Sequence, residues 1–315
     1  DVAPSRGLGD VYKRQEITLV TAFFNIGREN YKAIPRPDSK YFKDFEGWAR
    51  LKNKLIVYTQ PQMTELILNI REKFGLRDQT IIVEIENLYS IEPEIFKRMK
   101  EISKDKYFLK FRYLPNATSN IPEYSYLMLL KTYFVKDAVQ RKLTSEQIAW
   151  IDFGFNHGGD LYTNPEEFSF NWEYAFEDKI YYFYYKRYDE KPIFEIVRRL
   201  SDCIMGCLII IPEKYANELW ELNRNAMLTL NDVGLIDDDQ LIHLMSYRKK
   251  PDIFNLIESD WFLPLKTYGG DNLITLREGT NDRVKNVARS MKHYVKKQKL
   301  SFRNAYILYK SLMEK

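Results

Sequence analysis

Cysteine and histidine are scarce: a chain of 315 residues holds two of the first and three of the second. That scarcity excludes a disulfide-stapled secreted scaffold and a cysteine-rich zinc module. Cys203 and Cys207 share one apolar segment, CIMGCLIII, where strand alternation aims both at one face but at separated positions; they read as small buried residues. No apolar run reaches the roughly 18 to 20 residues needed to cross a bilayer, and the N-terminus lacks the apolar block of a signal peptide. These absences place the chain in the cytoplasm. Also missing are GxGxxG after the first strand, GxxxxGK[ST], GxSxG and HExxH. Rossmann dehydrogenase, P-loop kinase, serine hydrolase and zincin readings therefore lose their usual warrant.

The formal charge of +4 is too small to argue for nucleic acid. Most of the excess lies after Arg277, where Val284, Val287, Met291 and Tyr294 recur at helical spacing. Residues 276–315 thus read as a basic amphipathic helical tail, either a solvated face or a surface for peripheral contact with the anionic inner membrane. At the other end, SRGLGDVYKRQ resembles translated adapter sequence, so residues 1–15 are set aside as a non-native leader and 16–275 as the folded domain. The 23 tyrosines and 19 phenylalanines suit sugar stacking and a dense core equally.

Short branched runs at 16–24 (EITLVTAFF), 54–59 (KLIVYT) and 80–85 (TIIVEI) read as buried parallel strands. Between the last two, PQMTELILNIREKFG opens on proline, places Met63, Leu66, Ile67 and Ile70 on one face, and stops at Gly75, the signature of a helix. Strand, helix, strand argues for a doubly wound sheet with ligands beyond the C-terminal strand ends. A helix over 124–140 and a fourth central strand, SEQIAWID, follow. The aromatic, alternating stretch from Phe168 to Phe194 predicts an antiparallel addition, CIMGCLIIIP a strand, PEKYANELWELNRNAMLTL a helix, and DDDQ the start of a short helix through Tyr247. No internal repeat or linker divides the chain.

Candidate chemistry gathers at strand ends. WIDFGFNHGG runs an apolar strand into Asp152, then Gly154, whose missing side chain lets a phosphate or sugar approach. Asp152 reads as a turn cap or as a hard oxygen ligand for a divalent cation. His157 reads as an exposed loop residue, a metal ligand, a general base or a donor to substrate. Asp237, Asp238 and Asp239 either favour a helix dipole or supply a catalytic base, and helical spacing sets Asp239 and His243 on one face. Arg28, just past the first strand, suits phosphate oxygens, with Phe23 and Phe24 as core or stacking rings. Lys131, inside an apolar helix, must find a partner, an anionic ligand or a route to solvent.

Taken together, TAFFNIGREN, LIVYT, YLMLLKTYF, WIDFGFNH, CIMGCLIIIPEKYANELWEL and DDDQLI resemble the HtrL/YibB family of bacterial proteins over about Ile17 to Phe254. The resemblance implies a GT-A-like, Rossmann-like fold: a mixed, mainly parallel central sheet flanked by helices. It implies a glycosyltransferase using a nucleotide-sugar donor and a glycan or glycolipid acceptor of surface polysaccharide or lipopolysaccharide. On that reading Thr21, Ala22, Phe23, Arg28, Lys131, Asp152 and Gly154 line the donor site, with Asp152 and His157 on a divalent cation, Mn2+ or Mg2+. Gly206 leaves room on the acceptor side, and Asp238 or Asp239 is the base. One departure is plain: the second aspartate of the D-x-D metal motif is Gly154. Two alternatives stand beside it, a non-catalytic sugar- or nucleotide-binding protein and a metal-dependent phosphoesterase built on Asp152 and the aspartate triplet.

Overall fold

The computed structural model describes residues 15–31, 35–113, 118–185, 191–199 and 204–275. Among the described residues eight strands form one sheet: β1 (Gln15–Phe23), β2 (Leu55–Thr59), β3 (Thr80–Glu84), β4 (Gln147–Ile151), β5 (Glu173–Tyr174), β6 (Ile180–Tyr184), β7 (Leu208–Pro212) and β8 (Phe254–Glu258). Their order is β3-β2-β1-β4-β7-β6-β8, with β5 on the start of β1. β1, β2, β3 and β4 run parallel, while β7 is antiparallel to both β4 and β6. The chain leaves β1 toward β2 and β3 on one side and returns at β4 on the other, so the β1–β4 junction is the topological switch point.

Helices α1 (Asp38–Trp48) and α2 (Thr64–Glu72) pack on one face. The other face carries α3 (Pro93–Ser103), α4 (Lys106–Phe111), α5 (Pro122–Gln140), α6 (Ile193–Arg199), α7 (Ala216–Asp232) and α8 (Asp239–Lys249). Strand alternation divides the core accordingly: in β1, Val20 joins the cluster with α5 and α7, and Leu19 the cluster with α1 and α2. A last short helix, α9 (Pro264–Thr267), closes the α1 side. Gly75 ends the turn after α2 at φ 68°, a left-handed conformation that favours glycine, as its place in the sequence requires.

The mixed α/β sheet agrees with the sequence in its parallel half and in its antiparallel addition, and differs at two places. The 168–194 stretch supplies two antiparallel pairings, β5 with β1 and β6 with β7, and β6 also runs parallel to β8. β8 arises from FNLIE, whose alternation is too short to stand out. Gln15, assigned to the leader, belongs to β1 and pairs with Tyr174. Cys203 and the basic tail lie outside the described residues; Cys207 is buried and unbridged. Among the described residues no helix is long and apolar enough to cross a membrane.

Candidate active site

Two sharp turns build a cavity at the switch point. After β1, the Asn25 side chain accepts from the Gly27 amide at 2.8 Å, and Gly27 takes φ 72°. The chain thereby folds into a short turn that buries Arg28 to 6% exposure. After β4, Asn156 and His157 adopt φ 60° and 45°, a left-handed conformation that few non-glycine residues take. Asn156 holds that loop: its amide donates to the Tyr162 carbonyl at 2.7 Å, and its oxygen accepts from the Leu161 and Tyr162 amides. Helix α1 clamps it from outside through Lys40, which donates to the His157 carbonyl at 2.9 Å and pairs with Asp44 at 2.6 Å.

The cavity between these turns measures about 270 Å³, near the lower end of the roughly 300 to 1,000 Å³ usual for small-molecule sites. Its walls are aromatic and apolar, with Phe23, Phe24, Tyr41, Tyr124, Leu127 and Trp150 among them. Charged and polar groups converge on it: Arg28, Arg36, Lys131, Asp38, Asp152 and His157. Ala22 and Gly154 complete the expected set that faces the cavity.

Arg28 has no carboxylate partner among the described residues. Its guanidinium lies over the rings of Tyr31 at 5.1 Å and Tyr124 at 4.8 Å, and its Nε is buried without a hydrogen bond. Arg36 lies over Tyr41 at 5.3 Å, and its amide donates to the Arg28 carbonyl at 3.1 Å, which ties the two arginines together. Lys131 is the reverse case. Its ammonium, 3% exposed, meets Asp152 Oδ1 at 2.7 Å, Asp239 Oδ2 at 2.6 Å and the Gly206 carbonyl at 3.0 Å. Burial acts to lower its pKa, but Asp152 and Asp239 outweigh it and raise the value above the ordinary lysine range. Asp152 Oδ1 also accepts from Trp150 Nε1 at 2.8 Å, whereas Oδ2 has no donor among the described residues.

These contacts correct several expectations. Thr21 is fully buried and does not line the cavity. Gly206 makes room for a protein carboxylate rather than a sugar: a Cβ there would lie 1.7 Å from Asp239 Oδ2. Neither Asp238 nor Asp239 lines the cavity, because each aspartate of the triplet has its own partner. Asp237 pairs with Arg112 at 3.2 Å; Asp238 caps α8 and accepts from Ser119 at 2.7 Å; Asp239 holds Lys131. Burial, then Asp237 and Asp239, push the Asp238 carboxyl above its ordinary range. His243 stacks on Tyr182 with ring centroids 4.8 Å apart, and burial lowers its pKa to about 4.

His157 lines the cavity with its side chain 43% exposed and its Nδ1 3.4 Å from Asp160 Oδ2. Burial, then Arg36, lower its pKa, so the imidazole is neutral near pH 7 and can accept a proton. Sequence reasoning missed Arg36, Tyr41 and Tyr124. The one available signal for Arg36 was its place between two prolines in PRPD, immediately before a helix that starts at Asp38.

The sequence pattern of the family described as "Bacterial protein of unknown function (HtrL_YibB)" matches residues 15–269. The chain is 30% identical over 260 residues to the protein HtrL of Escherichia coli (strain K12), covering 77% of this chain and 88% of that relative. Among solved structures it is similar to mouse xyloside xylosyltransferase 1, at 11% identity and a TM-score of 0.42 over 77% of this chain and 85% of that one. The PaToxG glycosyltransferase is similar at 9% identity and a TM-score of 0.35, over 96% and 86% of the two chains. Similarities of that size carry no argument about this site.

Proposed function

We propose, from the premise that this chain belongs to the HtrL/YibB family, that it is a glycosyltransferase whose donor is a nucleoside-diphosphate sugar bound at the β1–β4 switch point. One observation carries the reading: Arg28 is nine-tenths buried, faces the cavity and has no carboxylate partner among the described residues. A buried cation without a counter-charge is costly, and an anionic ligand removes that cost. Guanidinium groups bind phosphate oxygens through paired hydrogen bonds, and the aromatic walls suit a base and a sugar ring.

Asp152 sits 32% exposed at the cavity floor. With Oδ1 taken by Lys131 and Trp150, Oδ2 is the atom that accepts from a ribose or sugar hydroxyl. In transfer, the bond from the sugar anomeric carbon to the diphosphate breaks and its electron pair leaves with the nucleoside diphosphate. A bond forms from that carbon to an acceptor oxygen, and the acceptor proton passes to His157, which Asp160 orients. The acceptor is a hydroxyl of a glycan or glycolipid; the resemblance implies a surface polysaccharide or lipopolysaccharide setting.

The test is release of nucleoside diphosphate from a panel of nucleoside-diphosphate sugars, with water or added glycans as acceptor. We expect turnover with at least one donor, lost in Asp152→Asn, whose fold is preserved because Lys131 keeps Asp239. The displacement of Asp238 and Asp239 from the cavity favours a second reading, a non-catalytic binding protein of the same fold. Donor binding without turnover under every acceptor condition decides for that one. The phosphoesterase alternative lacks its ligands: among the described residues no group of three His, Cys, Asp or Glu is placed to hold a metal.

A further inference from the structure

A divalent cation at Asp152 and His157 is what the resemblance implies, and the donor set here does not fit one. Magnesium and manganese sites need several oxygen or nitrogen ligands converging on one point. Asp152 Oδ1 already takes two donors, the Lys131 ammonium at 2.7 Å and the Trp150 indole at 2.8 Å. A metal on the same carboxylate would share it with an ammonium that repels it. His157 Nδ1 faces Asp160. At residue 154, a Cβ would meet the Tyr41 ring at 3.3 Å and Arg36 Nη1 at 3.9 Å. The space that a second carboxylate would enter is therefore bounded by a ring and a positive charge.

That charge belongs to a set. Arg36 is joined to Arg28 through the hydrogen bond from its amide, and both guanidinium groups lie over tyrosine rings that hold them in place. Both line the cavity, and no carboxylate among the described residues pairs with either. We propose that Arg28 and Arg36 together neutralise the donor diphosphate, and that this chain binds and uses its donor without a divalent cation. Lys131 then acts as a positioning residue: it fixes Asp152 through Oδ1 and leaves Oδ2 for a hydroxyl. The division of labour follows from charge. Two free guanidinium groups match a diphosphate, whereas the Asp152, Lys131 and Asp239 cluster sums to a negative charge and would repel one.

The inference rests on the donor-site reading above, and one calorimetric experiment on the full chain separates the two. Inorganic pyrophosphate and UDP are titrated in EDTA and again in excess Mn2+, with the wild type, Arg28→Met, Arg28→Lys and Arg36→Ala. We expect binding in EDTA, changed by less than about threefold on adding Mn2+, and weakened at least about tenfold by Arg28→Met and Arg36→Ala. Arg28→Lys should recover part of the loss, since it keeps the charge but not the paired hydrogen bonds. Arg36 is the more exposed of the two, so Arg36→Ala keeps the test alive should Arg28→Met fail to fold by circular dichroism. Binding that requires Mn2+ overturns metal independence and leaves the transferase reading standing. Equal binding by wild type and arginine variants overturns the clamp. No binding of either probe in either buffer overturns both.

Discussion

Two kinds of cation line the cavity, and they differ in their partners. Lys131 touches two carboxylates and a carbonyl, while the Arg28 guanidinium lies over two tyrosine rings and has no carboxylate partner among the described residues. Both are almost fully buried. The difference teaches how to read buried charge: an ammonium already satisfied by the protein holds architecture in place, and a guanidinium without a carboxylate is the group for which we propose an anionic ligand.

Breaking the satisfied side should cost the most stability. Lys131→Met leaves Asp152 and Asp239 facing each other without a cation, and we expect a loss of about 3 to 5 kcal/mol in urea unfolding. Gly206→Ala should approach that value, about 3 kcal/mol, because its Cβ would displace the Asp239 carboxylate that Lys131 needs. The neighbouring His243 adds a pH dependence. Its folded pKa of about 4 lies below the ordinary 6.5. Above pH 6.5 both states are neutral and nothing is lost; below it the unfolded chain takes up a proton that the folded chain refuses. Stability should therefore fall from about pH 6.5 down to about 4, by about 2 kcal/mol at pH 5. His243→Gln should remove that part of the slope when its urea midpoints are compared with those of the wild type.

The unsatisfied side should show the opposite balance. Arg28→Met should change unfolding free energy by no more than about 1 kcal/mol while donor affinity drops at least about tenfold. The smallest and most specific effect concerns His157. With its pKa lowered by burial and by Arg36, kcat/KM should fall on the acid side with a break below about 6.5, about tenfold per pH unit beyond the break. Arg36→Ala should move that break upward by removing a nearby positive charge. A break that stays put in Arg36→Ala would detach His157 from the reaction.

The parallel half of the fold was legible because its strands are continuous branched runs separated by a helix with both its start and stop marked. β5 fell inside the aromatic stretch read as antiparallel, although its partner β1 could not be named, and β8 was missed because a five-residue FNLIE carries too little alternation to register. At the site, WIDFG and NIGRE announced Asp152 and Arg28 through their position at strand ends. The aspartate triplet misled because adjacency in sequence says nothing of partners: three neighbouring carboxylates point to Arg112 and Ser119, both between α4 and α5, and to Lys131 inside α5. Lys131 was recognised as a charge in need of a partner, yet its partners lie 21 and 108 residues away and only the tertiary fold joins them. Arg36 was hard to place, because beyond the PRPD signal its position beside the cavity depends on the backbone contact with Arg28 and on the Tyr41 ring.

The most direct measurement is calorimetric titration of a panel of nucleoside-diphosphate sugars onto the wild-type chain and onto Arg28→Met, with unfolding measured on both. The account predicts binding of at least one donor by the wild type and a loss of at least about tenfold in Arg28→Met at nearly unchanged stability. Equal affinity in the two chains, or no donor bound by the wild type, would contradict it.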